Sequence, residues 1–236
     1  MALGPFYVAQ QLSMTDGVRG VALLTRHGET MWNRQGRVMG RNPVELSPEG
    51  RAQVEAVARF SRAIKPDLIV TSPLVRARQS AEIIAASLGG VDVVEELDIA
   101  EVRYGRWEGK TYHDLIMDAE YLSYRKAPLE RATPGGETIS EVQRRGVGAI
   151  MRIIAANPER RVLFVSHGDI IRTVLCHFMG LELKHFHRIR IDNATLSAIR
   201  LAGSFAEIKF VNLLPDPERA FVPPFSTEKP ADPQKP

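Results

Sequence analysis

Three segments of this sequence place residues capable of phosphoryl chemistry directly after short apolar runs. His27 stands in an Arg-His-Gly triplet, His167 stands in a Ser-His-Gly triplet, and a third run leads into the segment that contains Arg76. A neutral imidazole can attack phosphorus, and a guanidinium group binds phosphate oxygens with paired N–H donors. These residue types predict phosphoryl transfer, provided that the fold brings the three segments together.

The pattern of elements indicates how that can happen. Residues 21–25, 68–71 and 162–166 have the length and apolar character of buried strands, and amphipathic helical patterns separate them. A short strand is predicted at residues 91–94 and two further strands near residues 195–201 and 207–212. One helix is predicted to start at Pro48 with Ser47 as its N-cap, another to span residues 170–179, and residues 30–43 to form a loop. Alternating strands and helices predict an α/β fold, a three-layer α/β/α sandwich with a largely parallel central sheet. The carboxyl ends of its parallel strands open on one edge, where ligands bind.

At that edge each candidate residue has a distinct task. Neutral His27 would attack phosphorus through one ring nitrogen, while the other donates to a backbone carbonyl and fixes the tautomer. Arg26 and Arg76 would bind the phosphate oxygens as charged, bidentate donors. His167, close to the same oxygens, is expected to become charged and to donate as well.

A leaving alkoxide also needs a proton. Glu101 is the predicted general acid, because a carboxyl group near phosphate oxygens acquires a raised pKa. Glu108, in the same segment, is the alternative donor, or else a carboxylate that stabilises a turn. Gly28 and Gly168 are expected to leave room for the phosphate.

Composition restricts the partners. The net charge is +3 with 31 scattered Lys and Arg residues, which predicts a small anionic substrate and no nucleic-acid partner. The single cysteine, Cys176, excludes an internal disulfide. The sequence contains no His-x-x-x-His pattern, so neither a metal site nor another cofactor is predicted. No signal peptide and no membrane span is predicted, so we expect a cytoplasmic protein. The sequence leaves open whether the protein forms a homodimer.

The chain is predicted to hold one catalytic domain. Residues 20–213 carry the periodic elements, residues 1–19 form an N-terminal extension, and residues 214–236 are rich in Pro and charged residues. The last segment lacks any apolar periodicity, which predicts a disordered tail.

Taken together, these segments resemble the histidine phosphatase superfamily, also called the phosphoglycerate mutase-like family. The similarity spans about residues 20–212, and no single block would establish it. Its blocks are residues 24–33, with Arg-His-Gly-Glu and a final Asn; Gly36-Arg37; Leu-Ser-Pro-Glu-Gly at 46–50; Thr-Ser-Pro-Leu-Val-Arg-Ala at 71–77; Glu101 with 104–109; Pro-Gly-Gly-Glu at 134–137; and Ser-His-Gly at 166–168.

The resemblance implies a role for each site residue and no metal requirement. His27 would be the phosphorylated nucleophile and Glu101 the proton donor, and Asn33 would contact the phosphate from its loop. The phosphate pocket would be formed by Arg26, Arg76, His167 and Gly168. The chain departs from relatives at Met39, where they often carry Gln or Ser, and at residues 42–43.

The resemblance leaves three activities open. The block at 105–109 is similar to the phosphatase branch, and residues 109–134 are shorter than the substrate-enclosing insertion of typical mutases. Both features favour a phosphomonoesterase acting on a small phosphorylated metabolite. A phosphoglycerate mutase-type transfer is the alternative, in which Arg125 and Lys126 would bind a substrate carboxylate. A non-catalytic phosphate-binding member is the third reading, although the catalytic residues are all present.

Overall fold

The computed structural model describes residues 18–215. Most of the predicted N-terminal extension and of the predicted C-terminal tail lies outside these residues, so the domain limits stay predictions. Within the described part, the strands are β1 (Arg19–Arg26), β2 (Leu68–Thr71), β3 (Val93–Glu95), β4 (Arg161–Ser166), β5 (Leu196–Ala202) and β6 (Phe205–Leu213). The helices are α1 (Met31–Arg34), α2 (Pro48–Ile64), α3 (Val75–Ser87), α4 (Tyr112–Leu115), α5 (Ala119–Lys126), α6 (Ile139–Ala156) and α7 (Gly168–Phe178).

The six strands form one sheet in the order β3-β2-β4-β1-β5-β6. Strands β1, β2, β3 and β4 are parallel to one another, whereas β5 runs antiparallel to β1 and β6 runs antiparallel to β5. The predicted α/β class with a largely parallel sheet is therefore confirmed. Because β4 lies between β2 and β1, the three strands that precede the candidate residues end side by side.

Alternating side chains of the sheet pack into two apolar cores. On one face Leu24 and Phe164 pack with helices α6 and α7, and on the other face Leu23 and Val165 pack with α2 and α3. This alternation follows from the period of two residues in a strand. Helices on both faces bury the sheet and hold the strand ends in register.

Three details differ from the sequence prediction. The segment predicted as a loop at residues 30–43 contains helix α1, since Thr30 and Asn33 form a reciprocal capping box. Helix α7 begins at Gly168, directly after His167, and not at residue 170. Strand β3 lies at residues 93–95, slightly later than the predicted 91–94.

Candidate active site

The ends of β1, β2 and β4 bring both histidines together. The His27 N–H donates to the Ser166 carbonyl over 3.0 Å, which continues the pairing of β1 with β4. The ring centroids of His27 and His167 lie 5.2 Å apart, and both residues are fully buried, as is Arg76. The sequence prediction that these segments meet at one edge is therefore confirmed.

Hydrogen bonds fix the tautomer of His27. Its Nδ1 lies 2.7 Å from the Gly28 carbonyl oxygen, and the Nε of Arg76 donates to its Nε2 over 3.2 Å. A carbonyl only accepts and a guanidinium only donates, so the proton is on Nδ1 and the lone pair is on Nε2. Burial, followed by the charges of Arg76 and Arg26, lowers the pKa of His27 well below its usual value. The imidazole is neutral and nucleophilic at neutral pH.

Arg76 connects the histidine to the loop that follows α1. Besides the bond to His27, its Nη2 donates to the Gly40 carbonyl over 2.8 Å and its Nη1 to the Asn42 carbonyl over 3.2 Å. Burial lowers the pKa of Arg76 to about 10, so it remains a cation at neutral pH. The guanidinium thus presents a full set of donors beside the lone pair of His27.

Two buried nitrogens at this edge have no hydrogen-bond partner among residues 18–215. They are Nε of Arg26 and Nδ1 of His167. One other nitrogen of each residue is engaged, since Nη1 of Arg26 donates to the Ile191 carbonyl at 2.8 Å and Nε2 of His167 lies 2.8 Å from Ser72 Oγ. A buried polar group without a partner is costly, so each indicates a place for a ligand atom. An anion with several acceptor oxygens fits a cluster of N–H groups.

The charge state expected for His167 does not arise from the protein alone. Burial, then the charges of Arg76 and His27, lowers its pKa well below the usual value. The prediction of a charged imidazole therefore depends on the phosphate itself supplying the countercharge.

A cavity of about 150 Å³ opens beside these groups. Its lining includes four residues predicted from the sequence, which are Arg26, Asn33, Glu101 and Gly168. His27, Arg76 and His167 lie behind this lining and are fully buried. The predicted site residues therefore form one contiguous group, in which some side chains line the cavity and the others are fully buried.

Glu101 has the environment of an acid that works near neutral pH. Burial, followed by repulsion from the Asp169 carboxylate, raises its pKa to about 7. The backbone carbonyl of Glu101 accepts from Arg145 over 3.2 Å, and Ser166 Oγ donates to the Ile99 carbonyl over 2.7 Å. These bonds attach the segment that carries Glu101 to helix α6 and to the end of β4.

Glu108, the alternative donor, is occupied elsewhere. Its Oε1 accepts from the Tyr104 N–H over 3.0 Å, and its Oε2 accepts from the Asn42 side-chain amide over 2.9 Å. It does not line the cavity beside Arg26. Its carboxylate stabilises the loop that Arg76 also binds.

The two glycines assigned to phosphate clearance differ. Gly168 lines the cavity, and a Cβ there would be 3.6 Å from the Arg26 guanidinium, an ordinary contact. At Gly28 a Cβ would lie 2.3 Å from the backbone oxygen of Gly50. The expectation for Gly28 was wrong, because this residue allows the turn after β1 to pack against the first turn of α2.

Residues of the loop also line the cavity. Met39 lines the cavity, and its sulfur accepts from Thr30 Oγ1 over 3.2 Å. Asn33 accepts from the Thr30 N–H over 3.0 Å while it lines the cavity. One side chain therefore both caps α1 and reaches the site.

Sequence reasoning missed a network at the start of α7. Asp169 accepts from Tyr104 Oη at 2.5 Å and from Arg172 Nη1 at 2.7 Å, and all three residues line the cavity. Burial opposes ionisation of Asp169, but Arg172 and these hydrogen bonds hold its pKa below the usual value. The available signal was the i, i+3 spacing of Asp169 and Arg172 immediately after the Ser-His-Gly triplet.

No helix in the described part of the chain is long and apolar enough to cross a membrane. Within residues 18–215, no group of three or more His, Cys, Asp or Glu side chains is arranged to hold a metal ion. The groups that converge at the strand ends are instead cationic or neutral nitrogen donors with one acid.

Comparison with known proteins agrees with this geometry. A profile of the histidine phosphatase superfamily (branch 1) matches residues 22–214. A Bacillus subtilis protein named uncharacterized phosphatase PhoE is 33% identical over 80% of this chain and 93% of its own length. Putative phosphoserine phosphatase 2 of Hydrogenobacter thermophilus is 28% identical, over 81% of this chain and 94% of that protein.

A solved structure has the same fold. The phosphoserine phosphatase of Entamoeba histolytica, determined as a mutant in complex with phosphoserine, superposes with a TM-score of 0.75 at 25% identity. The match covers 82% of this chain and 96% of that one.

Proposed function

Because the chain belongs to the histidine phosphatase superfamily (branch 1) and is a phosphatase of that type, we propose that it hydrolyses small phosphomonoesters through a phosphohistidine on His27 and without a metal ion. One observation carries the mechanism. The Nε2 lone pair of His27 lies beside the Arg76 guanidinium and near two buried nitrogens, of Arg26 and His167, that have no partner in the described chain. This is a nucleophile surrounded by N–H donors.

In the first step the ester phosphate enters from the cavity that Arg26 and Glu101 line. Its oxygens replace the Gly40 and Asn42 carbonyls on Arg76 and accept from Arg26 Nε and from His167. Nε2 of His27 attacks phosphorus, the N–P bond forms, and the bond from phosphorus to the ester oxygen breaks. Glu101 gives its proton to that oxygen, and the alcohol leaves.

In the second step a water molecule takes the place of the alcohol. The Glu101 carboxylate accepts a proton from this water, whose oxygen attacks phosphorus as the N–P bond breaks. Inorganic phosphate is released, His27 is neutral again and Glu101 is again protonated. A pKa of about 7 suits a group that must act first as an acid and then as a base.

The experiment compares the native protein with His27→Ala in excess EDTA, with p-nitrophenyl phosphate as substrate. We expect full activity with the chelator and a loss of at least about a thousand-fold in the variant. His113→Ala, which removes an exposed histidine outside the site, is the matched control and should retain native activity. Equal rates in native protein and His27→Ala, or complete loss with EDTA, would contradict the proposal.

A phosphoglycerate mutase-type transfer is the second candidate. Arg125 lines a larger cavity next to the site and could bind a substrate carboxylate. An isomerisation assay with 3-phosphoglycerate distinguishes the two activities. We expect phosphate release to exceed isomerisation, and the opposite result would favour the mutase.

A further inference from the structure

A second cavity, of about 480 Å³, continues from the phosphate site. We call it the tyrosine cavity, because Tyr104, Tyr112, Tyr121 and Tyr124 line it together with Phe186. The two cavities share Val38, Tyr104, Tyr112, Asp169 and Arg172. A molecule whose phosphate lies beside Arg26 would extend its alcohol part into the tyrosine cavity.

The aromatic walls are fixed by packing. Trp107 is fully buried, and its ring makes edge contacts with Tyr121 and Tyr124 at centroid distances of 5.3 and 5.2 Å. Phe186 is also fully buried. Because these rings are held from behind, the cavity needs little ordering when a ligand enters, and preformed apolar walls favour a flat ring.

The charged groups that this cavity shares with the phosphate site are Asp169 and Arg172, which are paired with each other. Asp169 is buried and ionised, and its partner Arg172 is engaged with it and with the Ile189 carbonyl over 3.0 Å. Burial lowers the pKa of His187, which keeps this imidazole neutral at pH 7. A carboxylate close to the ester oxygen would face Asp169, whereas an uncharged ring would not.

We propose that the tyrosine cavity binds the alcohol part of the substrate, and that this part contains a flat, uncharged aromatic ring. The proposal rests on the phosphatase activity above and adds the class of substrate to it. Arg125, which the mutase alternative would use to bind a substrate carboxylate, lies at a solvent-exposed helix end, where an ion pair contributes little, so we assign no carboxylate to this cavity.

The first experiment uses three phosphate esters of primary alcohols: 2-phenylethyl phosphate, n-propyl phosphate and O-phospho-L-serine. All three leaving groups are alkoxides of primary alcohols, so binding of the alcohol part dominates the comparison. We expect kcat/KM for the phenylethyl ester to exceed that for the propyl ester at least about ten-fold, since burying a ring removes far more apolar area from water. Phosphoserine should fall below both, because its carboxylate and ammonium groups would lose hydration between aromatic walls.

The second experiment compares Ile116→Asn with Met117→Asn. Ile116 lines the tyrosine cavity, whereas Met117 is 82% exposed and is not part of its lining. We expect Ile116→Asn to reduce the phenylethyl-to-propyl ratio at least about three-fold and Met117→Asn to leave it unchanged.

The outcomes separate the two proposals. Absence of phosphate release from all three esters would overturn the phosphatase activity and this inference with it. Release with phosphoserine or the propyl ester as the best substrate would overturn only the inference. An equal effect of Ile116→Asn and Met117→Asn on the ratio would also overturn it.

Discussion

Glu101 and Glu108 lie in the same segment, yet the fold gives their carboxyl groups different surroundings. Glu101 is half-buried at the cavity near Asp169, and the loss of water contact together with the Asp169 charge raises its pKa to about 7. Glu108 accepts two hydrogen bonds, from Tyr104 and Asn42, and these define its position. The first is suited to exchanging a proton and the second to holding a loop.

Substitution of Glu101 should depend on the leaving group. We expect Glu101→Gln to reduce kcat/KM about 10²–10³-fold on alkyl phosphates and about ten-fold or less on p-nitrophenyl phosphate, whose phenolate leaves without protonation. For alkyl esters, native kcat/KM should fall as pH rises above about 7, because the acid ionises. That decrease should be absent in Glu101→Gln.

The control for this prediction is Glu108→Gln. Its amide can retain the bond from the Tyr104 N–H, and its loss of activity should be small and equal on alkyl and aryl esters. If Glu101→Gln affected both ester types equally while Glu108→Gln acted selectively on alkyl esters, Glu108 would be the proton donor.

At the scale of residues, the sequence was most informative where a residue type is rare in its position. A histidine after each of two buried strands, with arginines nearby, pointed to His27 and His167 before any contact was known. The role of Asp169 and Arg172 was missed because an acid followed by a base at i+3 resembles any helix start. Their importance depends on burial beside Glu101, which the sequence does not reveal.

At the scale of elements, the turn after β1 and the first turn of α2 meet without side chains between them. A Cβ on Gly28 would lie 2.3 Å from the Gly50 oxygen, and a Cβ on Gly50 would lie 2.0 Å from the Glu29 oxygen. The Ser47 N–H also donates to the Glu29 carbonyl over 2.9 Å. This backbone contact fixes the position of His27 relative to α2.

Gly28→Ala should therefore destabilise the protein. We expect a decrease of about 2 kcal/mol or more in the free energy of unfolding, since the backbone must move to accept the methyl group. Urea unfolding measures it. Gly148→Ala is the matched control, because Gly148 lies within α6 and a Cβ there meets no atom within 4 Å. It should stabilise by about 0.5–1 kcal/mol, and equal effects of both variants would contradict the packing argument.

The elements themselves were largely predictable. Apolar runs located β1, β2 and β4, and Ser47 followed by Pro48 located the start of α2, which the structure confirms. Helix α1 was missed because it has only four residues and no apolar face, and only the reciprocal hydrogen bonds between Thr30 and Asn33 define it. Short elements without an apolar face depend on such local bonds, which apolar patterning does not detect.

At the scale of the whole molecule, the fold collects buried nitrogens at one edge of its sheet. His27, His167, Arg26 and Arg76 lie together, and each experiences burial that disfavours its charged form. A site preorganised for an anion costs stability in the protein by itself. That cost is visible as a dependence of stability on pH.

The sign of this dependence follows from proton counts. Between pH 6.5 and 5.0 the unfolded chain protonates His27 and His167, whereas the folded protein keeps both imidazoles neutral. Glu101 behaves in the opposite way, because the folded protein protonates it and the unfolded chain leaves it largely ionised. The excess of protons bound by the unfolded state is small at pH 6.5 and reaches about one at pH 5.5–5.0, where stability should fall by about 1.4 kcal/mol for each unit of decreasing pH. His177 and His187, whose pKa values burial also lowers, act in the same direction.

Urea unfolding of the native protein at several pH values across this window measures the slope. His167→Asn removes one of the buried imidazoles and should lower the slope by about one proton, which is about 1.4 kcal/mol per pH unit. Millimolar inorganic phosphate should raise stability most at the acidic end of the window, because an anion in the site favours the charged imidazole. A slope that His167→Asn leaves unchanged would mean that the buried edge of the sheet does not control the stability of the molecule.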